Sequence, residues 1–514
     1  MRRSQFICPD LCQRPGTTIV RCTLPMKRVF SHPLLPIVIG LLLRLFFLFR
    51  LPSSAGDTPL YEALATHWLH HHVYGIPVNG ALAPVDIRMP GYPAYLALIQ
   101  AITGRSAEAS RFWVMLGQVF LDLAACLVIA QIAARCSGRS ETTSRPFMIA
   151  LWLAALCPFT ANYSAAPLTE TFAIFTTALV FIFLIPMVNP EYPMGDLLKW
   201  GRFPRRAEYM KNAAFAGVCT GFGTLFRPET PLILISSLPV VCWVAFRRNQ
   251  LGKGLRASML SVAACLFVLL PWTIRNAVTL QEFQPLTPRY STMPGELVPT
   301  GFMSWERTWL YRFREVFSVS WKLNDDTIQI DDIPARAFDT SEERQHVAAI
   351  LEQYNNDSNL SPQEDQQFAE IAQARTARHP LRTYLWVPLQ RTVTLWFTPR
   401  VEQLPVSGSI FPLARMWDTD RQDMVVTIGL FFLNIFYVLL ALWGAARLWS
   451  NSSDARAAVV LLVCFVLLRT AFLTTVETPE PRYVLVCFPA LTALAAHAFP
   501  RRNPASLPAA PDES

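Results

Sequence analysis

The sequence predicts an all-α polytopic membrane protein with about ten transmembrane helices and one mainly helical extracytoplasmic insertion. Three observations predict it. Of the 514 residues 52% are hydrophobic and only 16% charged, against about 25% charged in soluble domains, and the mean hydropathy is +0.29. Apolar stretches near the ~20 residues that cross a bilayer recur along the chain. The segments between them alternate between rich and poor in Lys and Arg. The charge deficit excludes a disordered or nucleic-acid-binding chain and sets aside an ordinary soluble enzyme. The net charge of +8 matters less here than where the cations sit. The 40 prolines and 34 phenylalanines fit kinked spans and interfacial loops.

The apolar stretches are 33–51, 112–134, 146–158, 169–188, 212–226, 230–246, 257–274, 424–449, 458–475 and 483–499. The third and fifth are short. The first ends near a small-residue SSA string, but it is longer than a signal-peptide core and is interrupted by Arg44, so it reads as a retained helix. With the N-terminus in the cytoplasm, the inner segments 1–32, 135–145, 189–211, 247–256, 447–457 and 500–514 hold 22 Lys and Arg. The short outer segments 52–111, 159–168, 227–229 and 476–482 hold 5. Both termini therefore read as cytoplasmic. Met26 opens the string MKRVFSHPLLP, so residues 1–25 read as a misassigned start. The organisation is an N-terminal segment 1–32, a transmembrane catalytic module 33–275 with its first outer loop 52–111, an insertion 276–423, transmembrane helices 424–499 and a tail 500–514.

No internal repeat is evident. None of the 11 cysteines falls in 276–423, so no disulfide framework braces the insertion. Cys8 and Cys12 lack the second pair of a zinc site. Within the insertion, Thr340-Ser-Glu-Glu343 and Ser361-Pro-Gln-Glu364 read as capping boxes, the second with Pro at the first helical position. The second helix is expected to end before His379-Pro380. TYLWVPLQRTVTLWF after it is aromatic and amphipathic, a helix expected to lie on the outer membrane surface.

Ionisable residues at a membrane mark function. They gather at the outer edge: Asp57, Glu62, Asp86, Arg88, Glu170, Arg227, Glu229, Arg275, Glu477, Glu480 and Arg482, mostly at helix ends beside prolines. Asp57 directly follows the first span and precedes a helical pattern with Leu60, Leu64 and Trp68 on one face. It reads either as that helix's cap or as a reactive carboxylate. Arg88, before the Pro90-Gly91 turn, reads as an interfacial anchor or an anion ligand. His67 and His71 are spaced i,i+4, yet no HExxH pattern or third carboxylate accompanies them. No cofactor is implied, and a divalent metal has no positive support. Phosphate loops and nucleophile elbows are absent.

Four stretches then carry a resemblance: Asp57 with Tyr61 and Ala65, RMPGYP at 88–93, PLTETF at 167–172 and LPWTIRN at 270–276. LFRPE at 225–229 and PEPRY at 479–483 support it. In their order and spacing the chain resembles the membrane glycosyltransferases of the GT-C fold. Within these it is most similar to the dolichyl-phosphate-mannose–protein mannosyltransferase superfamily (glycosyltransferase family 39-like), which includes lipid A aminoarabinose transferases. The resemblance covers about 30–290 and 425–499. It implies transfer of a sugar, hexose or pentose, from a polyprenyl-phosphate donor to an extracytoplasmic lipid, glycan or protein. It implies catalytic roles for Asp57, as base, and Glu170, with Arg88, Arg275 and Arg227 holding the donor phosphate. Tyr61, Tyr92, Glu480 and Arg482 are supporting residues. It also implies a multi-pass protein of the cell (inner) membrane whose site faces away from the cytoplasm. Two departures stand out: Thr58 replaces the second acid of the family's Asp-Glu pair, and the insertion reads as helical with no β-trefoil. The competing reading is a transporter or flippase of lipid-linked sugars, for which mid-span charges are few, chiefly Arg44 and Arg469.

Overall fold

A computed structural model describes residues 32–138, 144–189, 205–290, 292 and 295–499. The segment holding Cys8, Cys12, Cys22 and Met26, residues 139–143 and 190–204 of the expected inner segments, and the tail lie outside the described residues. The expected spans all fall on helices: α1 (Leu34–Arg50), α4 (Ala107–Cys136), α5 (Arg145–Ala155) with α6 (Pro158–Ala161), α7 (Glu170–Val188), α8 (Arg205–Thr224), α9 (Leu232–Arg247), α10 (Leu251–Thr279), α17 (Arg421–Trp449), α18 (Ser453–Thr474) and a C-terminal segment around α19 (Phe488–Ala495). The loop between α1 and α4, expected to lie outside, adds α2 (Thr58–His71), β1 (Gly75–Val78), β2 (Ala81–Pro84) and α3 (Gly91–Thr103).

Among the described residues α4, α7, α10, α17 and α18 are each long and apolar enough to cross a membrane alone, and the chain is a multi-pass membrane protein. The third expected span is broken: α5 and the segment from Pro158 meet at 52°, because Pro158 has no N–H to continue the ladder. The last is also irregular, with 3₁₀ turns Pro481–Cys487 and Ala496–Ala498 flanking α19. On α10 and α17 large apolar side chains such as Phe267, Val278, Phe432 and Leu442 stay exposed, the surface a lipid environment covers. Small residues set the inner packing. A Cβ on Gly217 would lie 2.1 Å from the Ser261 carbonyl oxygen, so the Gly217-xxx-Gly221 face lets α8 touch α10 backbone to backbone.

Arg44, a mid-span charge, is fully buried and bound. It donates to Asp122 (2.7 Å) and to the Gly40 and Ala155 carbonyls (2.9 and 2.8 Å). It serves the break after α5, where the Ala155 carbonyl has lost its helical partner.

The insertion is helical as expected: α11 (Thr300–Arg307), α12 (Phe313–Ser318), α13 (Ser341–Tyr354), α14 (Pro362–Arg378), α15 (Val387–Trp396) and α16 (Leu413–Thr419). Phe302, Trp305, Val347, Ile350 and Phe368 give it a core of its own. The box at Ser361 closes with both arms, and α14 stops at Arg378. The Thr340 box is only half formed. Its hydroxyl accepts from the Glu343 N–H (3.1 Å), while the Glu343 carboxylate turns to Arg375 and Arg378, since charge-assisted bonds are stronger than a cap. Before α15 runs a π-helical turn, Arg382–Trp386. Val387, Arg391 and Leu395 face inward, with Leu385, Trp386, Leu389 and Val393 exposed. That amphipathic division is the one expected of an interfacial helix. Arg391 ties the insertion to the spans by donating to the Leu310 (2.9 Å) and Thr474 (3.2 Å) carbonyls.

Candidate active site

Asp57 occupies the cap position of α2 but does not cap it: its backbone is α-helical (φ −72, ψ −21) and its side chain accepts no helix N–H. Pro59 enters at the first turn, where an N–H is dispensable. The carboxylate is therefore turned outward. Oδ1 accepts from Arg88 Nη2 at 2.9 Å and Oδ2 from Arg482 Nη2 at 3.1 Å. Burial would push this carboxyl up, but the Arg482 and Arg88 guanidinium groups outweigh it and hold it below the usual carboxylate range.

Arg88 is brought to Asp57 by the chain that follows α2. Asn79 (φ +50) and Gly80 (φ +81) turn the β1–β2 hairpin, with Gly75 opposite Pro84. This Asn-Gly hairpin signal went unread in the sequence expectations. Tyr74 Oη then donates to the Arg88 carbonyl at 2.8 Å, and the Arg88 guanidinium lies 6.0 Å from the Tyr61 ring centroid. The RMPGYP motif has a steric reason: Gly91 N–H donates to the Leu225 carbonyl at 2.7 Å, and a Cβ there would sit 2.6 Å from the same oxygen. Glycine thus lets α3 rest on the corner that carries Arg227.

The PLTETF, LFRPE and PEPRY motifs converge behind this pair. Glu170, first residue of α7, accepts from Arg227 Nη1 at 2.9 Å, and its Oε2 is buried with no hydrogen-bond partner. Arg227 Nε also reaches Glu229 (2.9 Å), which in turn holds Arg469 of α18 at 3.0 Å. Arg469 is thus anchored to this cluster rather than isolated in mid-span. Arg482 lies 2.6 Å from Glu480 and 3.8 Å from Glu170, and Tyr483 Oη donates to Glu480. Arg88, Arg227, Arg469 and Arg482 face Asp57, Glu170, Glu229 and Glu480, a balanced set. The side chains of Asp57 and Arg88 are 27% and 24% exposed and those of the other six 16% or less, so the network opens at the Asp57–Arg88 end.

Other expected residues stand apart from this opening. Arg275 donates to the carbonyls of Tyr74 (2.7 Å) and Val85 (2.8 Å) and packs on the Tyr74 and Trp272 rings, which fastens the hairpin. Tyr92 donates to Gln118 (2.7 Å), whose amide holds the Ala166 carbonyl (2.7 Å). The edge-to-face Tyr61–Tyr92 pair is packing. Thr58, at the position of the family's second acid, is fully buried and donates to the Pro167 carbonyl at 3.3 Å. His67 Nδ1 sits 2.9 Å from the Gly75 carbonyl oxygen, and among the described residues no three His, Cys, Asp or Glu side chains gather as a metal site.

Glu402 was absent from the sequence expectations. It follows Arg400 in a loop held to the first outer loop by Ser53 donating to Gln403 at 2.6 Å. Burial pushes its carboxyl up, against Arg400, with Glu480 and Arg482 also within electrostatic reach. No motif surrounds it, so only tertiary placement reveals it.

No family model and no curated protein matches this chain. Solved structures do. The archaeal oligosaccharyltransferase AglB from Archaeoglobus fulgidus, in complex with an inhibitory peptide and a dolichol-phosphate, is 12% identical with a TM-score of 0.47 over 91% of this chain and 50% of that one. An Archaeoglobus fulgidus oligosaccharyltransferase tethered with an acceptor peptide is 13% identical, TM-score 0.45, over 90% and 49%. ArnT from Cupriavidus metallidurans bound to undecaprenyl phosphate is 13% identical, TM-score 0.38, over 90% and 77%. The chain spans about half the length of the oligosaccharyltransferase. These neighbours are GT-C-fold glycosyltransferases.

Proposed function

We propose that the chain is a GT-C membrane glycosyltransferase that moves a sugar from a polyprenyl-phosphate donor to an extracytoplasmic lipid, glycan or protein acceptor. One observation carries this reading: a carboxylate and an arginine, paired and accessible, at the open end of a buried charge network built from the outer ends of the spans. Glycoside hydrolysis needs two carboxylates, because a sugar leaving group must be protonated. A sugar leaving a lipid phosphate departs as a stable anion. One base for the acceptor hydroxyl and one cation for the developing phosphate charge then suffice. Asp57 is the base, and Arg88, whose planar fork suits phosphate oxygens, is the clamp. Arg482 orients Asp57. Glu170, expected among the catalytic residues, is assigned to anchoring Arg227, and Arg275 is assigned to the wall of the site. The donor and acceptor sides face away from the cytoplasm, in keeping with the Lys and Arg asymmetry.

The test is transfer of radiolabelled sugar from polyprenyl-phosphate donors by the purified protein. Asp57→Asn preserves size and removes the proton acceptor, so turnover is expected to fall about 10²–10⁴-fold with donor binding retained. A folded Asp57→Asn protein that transfers at the wild-type rate sinks the assignment.

A further inference from the structure

A general base must be available to a proton, yet both Asp57 oxygens accept from guanidinium groups, Arg88 on Oδ1 and Arg482 on Oδ2. The network around them is also neutral, four arginines against four carboxylates. The flanking charges keep that balance, with Arg275 facing Asp86 and Arg400 facing Glu402. An arriving phosphodiester therefore finds no spare cation in the cluster and has to take one from a carboxylate. Exposure and partner number decide which. Arg227 bridges two carboxylates and Arg482 three, and Arg469 binds both Glu229 and the Tyr483 carbonyl. Arg88 meets one carboxylate through one nitrogen, its Nη1 going to the Ile87 carbonyl, and both members of the pair are about a quarter exposed.

Resting on the reading above, we infer that the donor phosphodiester takes Arg88 away from Asp57, so that donor binding itself unmasks the base. Before the exchange Asp57 is quenched by two cations. Afterwards Arg482 alone orients it, and its basicity rises. The acceptor hydroxyl proton then moves to an Asp57 oxygen as the acceptor oxygen bonds to the sugar C1. The bond from C1 to the phosphate oxygen breaks with its electron pair on the phosphate, which gains a second negative charge beside Arg88 as Asp57 loses its own. Proton abstraction is thereby confined to the donor-loaded site.

The inference has a proton-linkage signature. Free Asp57 lies below the ordinary carboxylate range. If its pKa is higher with donor bound, the complex holds more protons than the free protein between the two values. Affinity then tightens as pH falls through the bound pKa and levels off below the free one. For every pH unit that separates the two values, affinity changes by up to about tenfold. The probe is methyl undecaprenyl phosphodiester, whose single charge is constant over the range and which has no sugar to transfer. It is titrated into the full-length protein in neutral detergent from about pH 3 to 7, a range that brackets ordinary carboxylates. In steady state, the acid limb of kcat, set by the loaded enzyme, should lie at higher pH than that of kcat/KM, set by the free enzyme. Asp57→Asn should bind the probe independently of pH, and Arg88→Gln should bind it weakly and without linkage.

Flat wild-type affinity with coincident acid limbs, in a protein that still transfers sugar and is silenced by Asp57→Asn, overturns the unmasking and leaves the proposed function standing. Linkage that persists in Asp57→Asn also overturns it, placing the proton on another carboxyl such as Asp86 or Glu402, both raised by burial. Absence of transfer from every polyprenyl phosphosugar instead sinks the reading beneath it. Phosphatidylglycerol carries the same phosphodiester charge on a diacyl tail. Equal pH-linked binding of that lipid overturns the donor as the unmasking ligand.

Discussion

Removing the partner of Arg44 tests whether its buried charge is scaffold. Arg44 is fully buried and Asp122 is 1% exposed, and the guanidinium also binds Gly40 and Ala155 carbonyls and lies 3.2 Å from Cys126 Sγ. Asp122→Leu leaves an uncompensated cation inside the helix bundle, a change that costs roughly 3–5 kcal/mol. Adding Arg44→Met removes that cation and leaves the Ala155 carbonyl at the helix break without its donor, worth about 1–3 kcal/mol. The double variant is thus expected to be more stable than the single by about 2 kcal/mol. Thermal unfolding in detergent, followed with a thiol-reactive fluorophore, reads the difference, because Cys126, Cys136, Cys157, Cys265 and Cys487 are buried until unfolding. A double variant no more stable than Asp122→Leu refutes the pairing argument. Unchanged melting with lost activity in Asp122→Leu would place the pair in a functional pathway, as the transporter reading requires.

Three further outcomes follow. Arg275→Ala should lower stability by about 1–3 kcal/mol, because two backbone carbonyls lose their donor, yet leave probe affinity within about twofold. A loss of affinity as large as that of Arg88→Gln would return Arg275 to the phosphate. Burial pushes the Glu306 carboxyl up to about 8 despite its Ser320 hydrogen bond and Arg391. The native insertion therefore binds more protons than the unfolded chain between about 4.5 and 8. Glu306's contribution is full at low pH and is lost as pH rises through about 8, by up to about 5 kcal/mol. Glu306→Gln should flatten that dependence in melting curves taken across the window, and an unchanged slope would contradict the assignment. Reporter fusions at Asn356 and Gln250 should report opposite sides of the membrane, the second cytoplasmic, and the same side for both would break the span count.

Hydropathy placed each of its ten apolar stretches on helix, because burial in lipid imposes length and apolarity on each segment independently of its neighbours. Local caps were legible for the same reason: Ser361 and Glu364 satisfy each other within one turn. The motifs that fix the site were visible as strings. What they do depends on contacts spanning 31 and 425 residues, as in Arg88 and Arg482 on Asp57. Asp57 reads as a helix cap from its neighbours, and only the distant arginines explain why it faces outward. Arg275 and Arg88 look alike in sequence, both arginines at outer helix ends. The fold gives one to backbone carbonyls and leaves the other at the open end of the network. Glu402 has no local signature at all. Sequence determines which residues a membrane will tolerate at its edge. Tertiary structure decides which of those charges neutralise one another and which pair remains exposed, because the Coulomb energy depends on separation in space and on burial, and neither is written in the order of the chain.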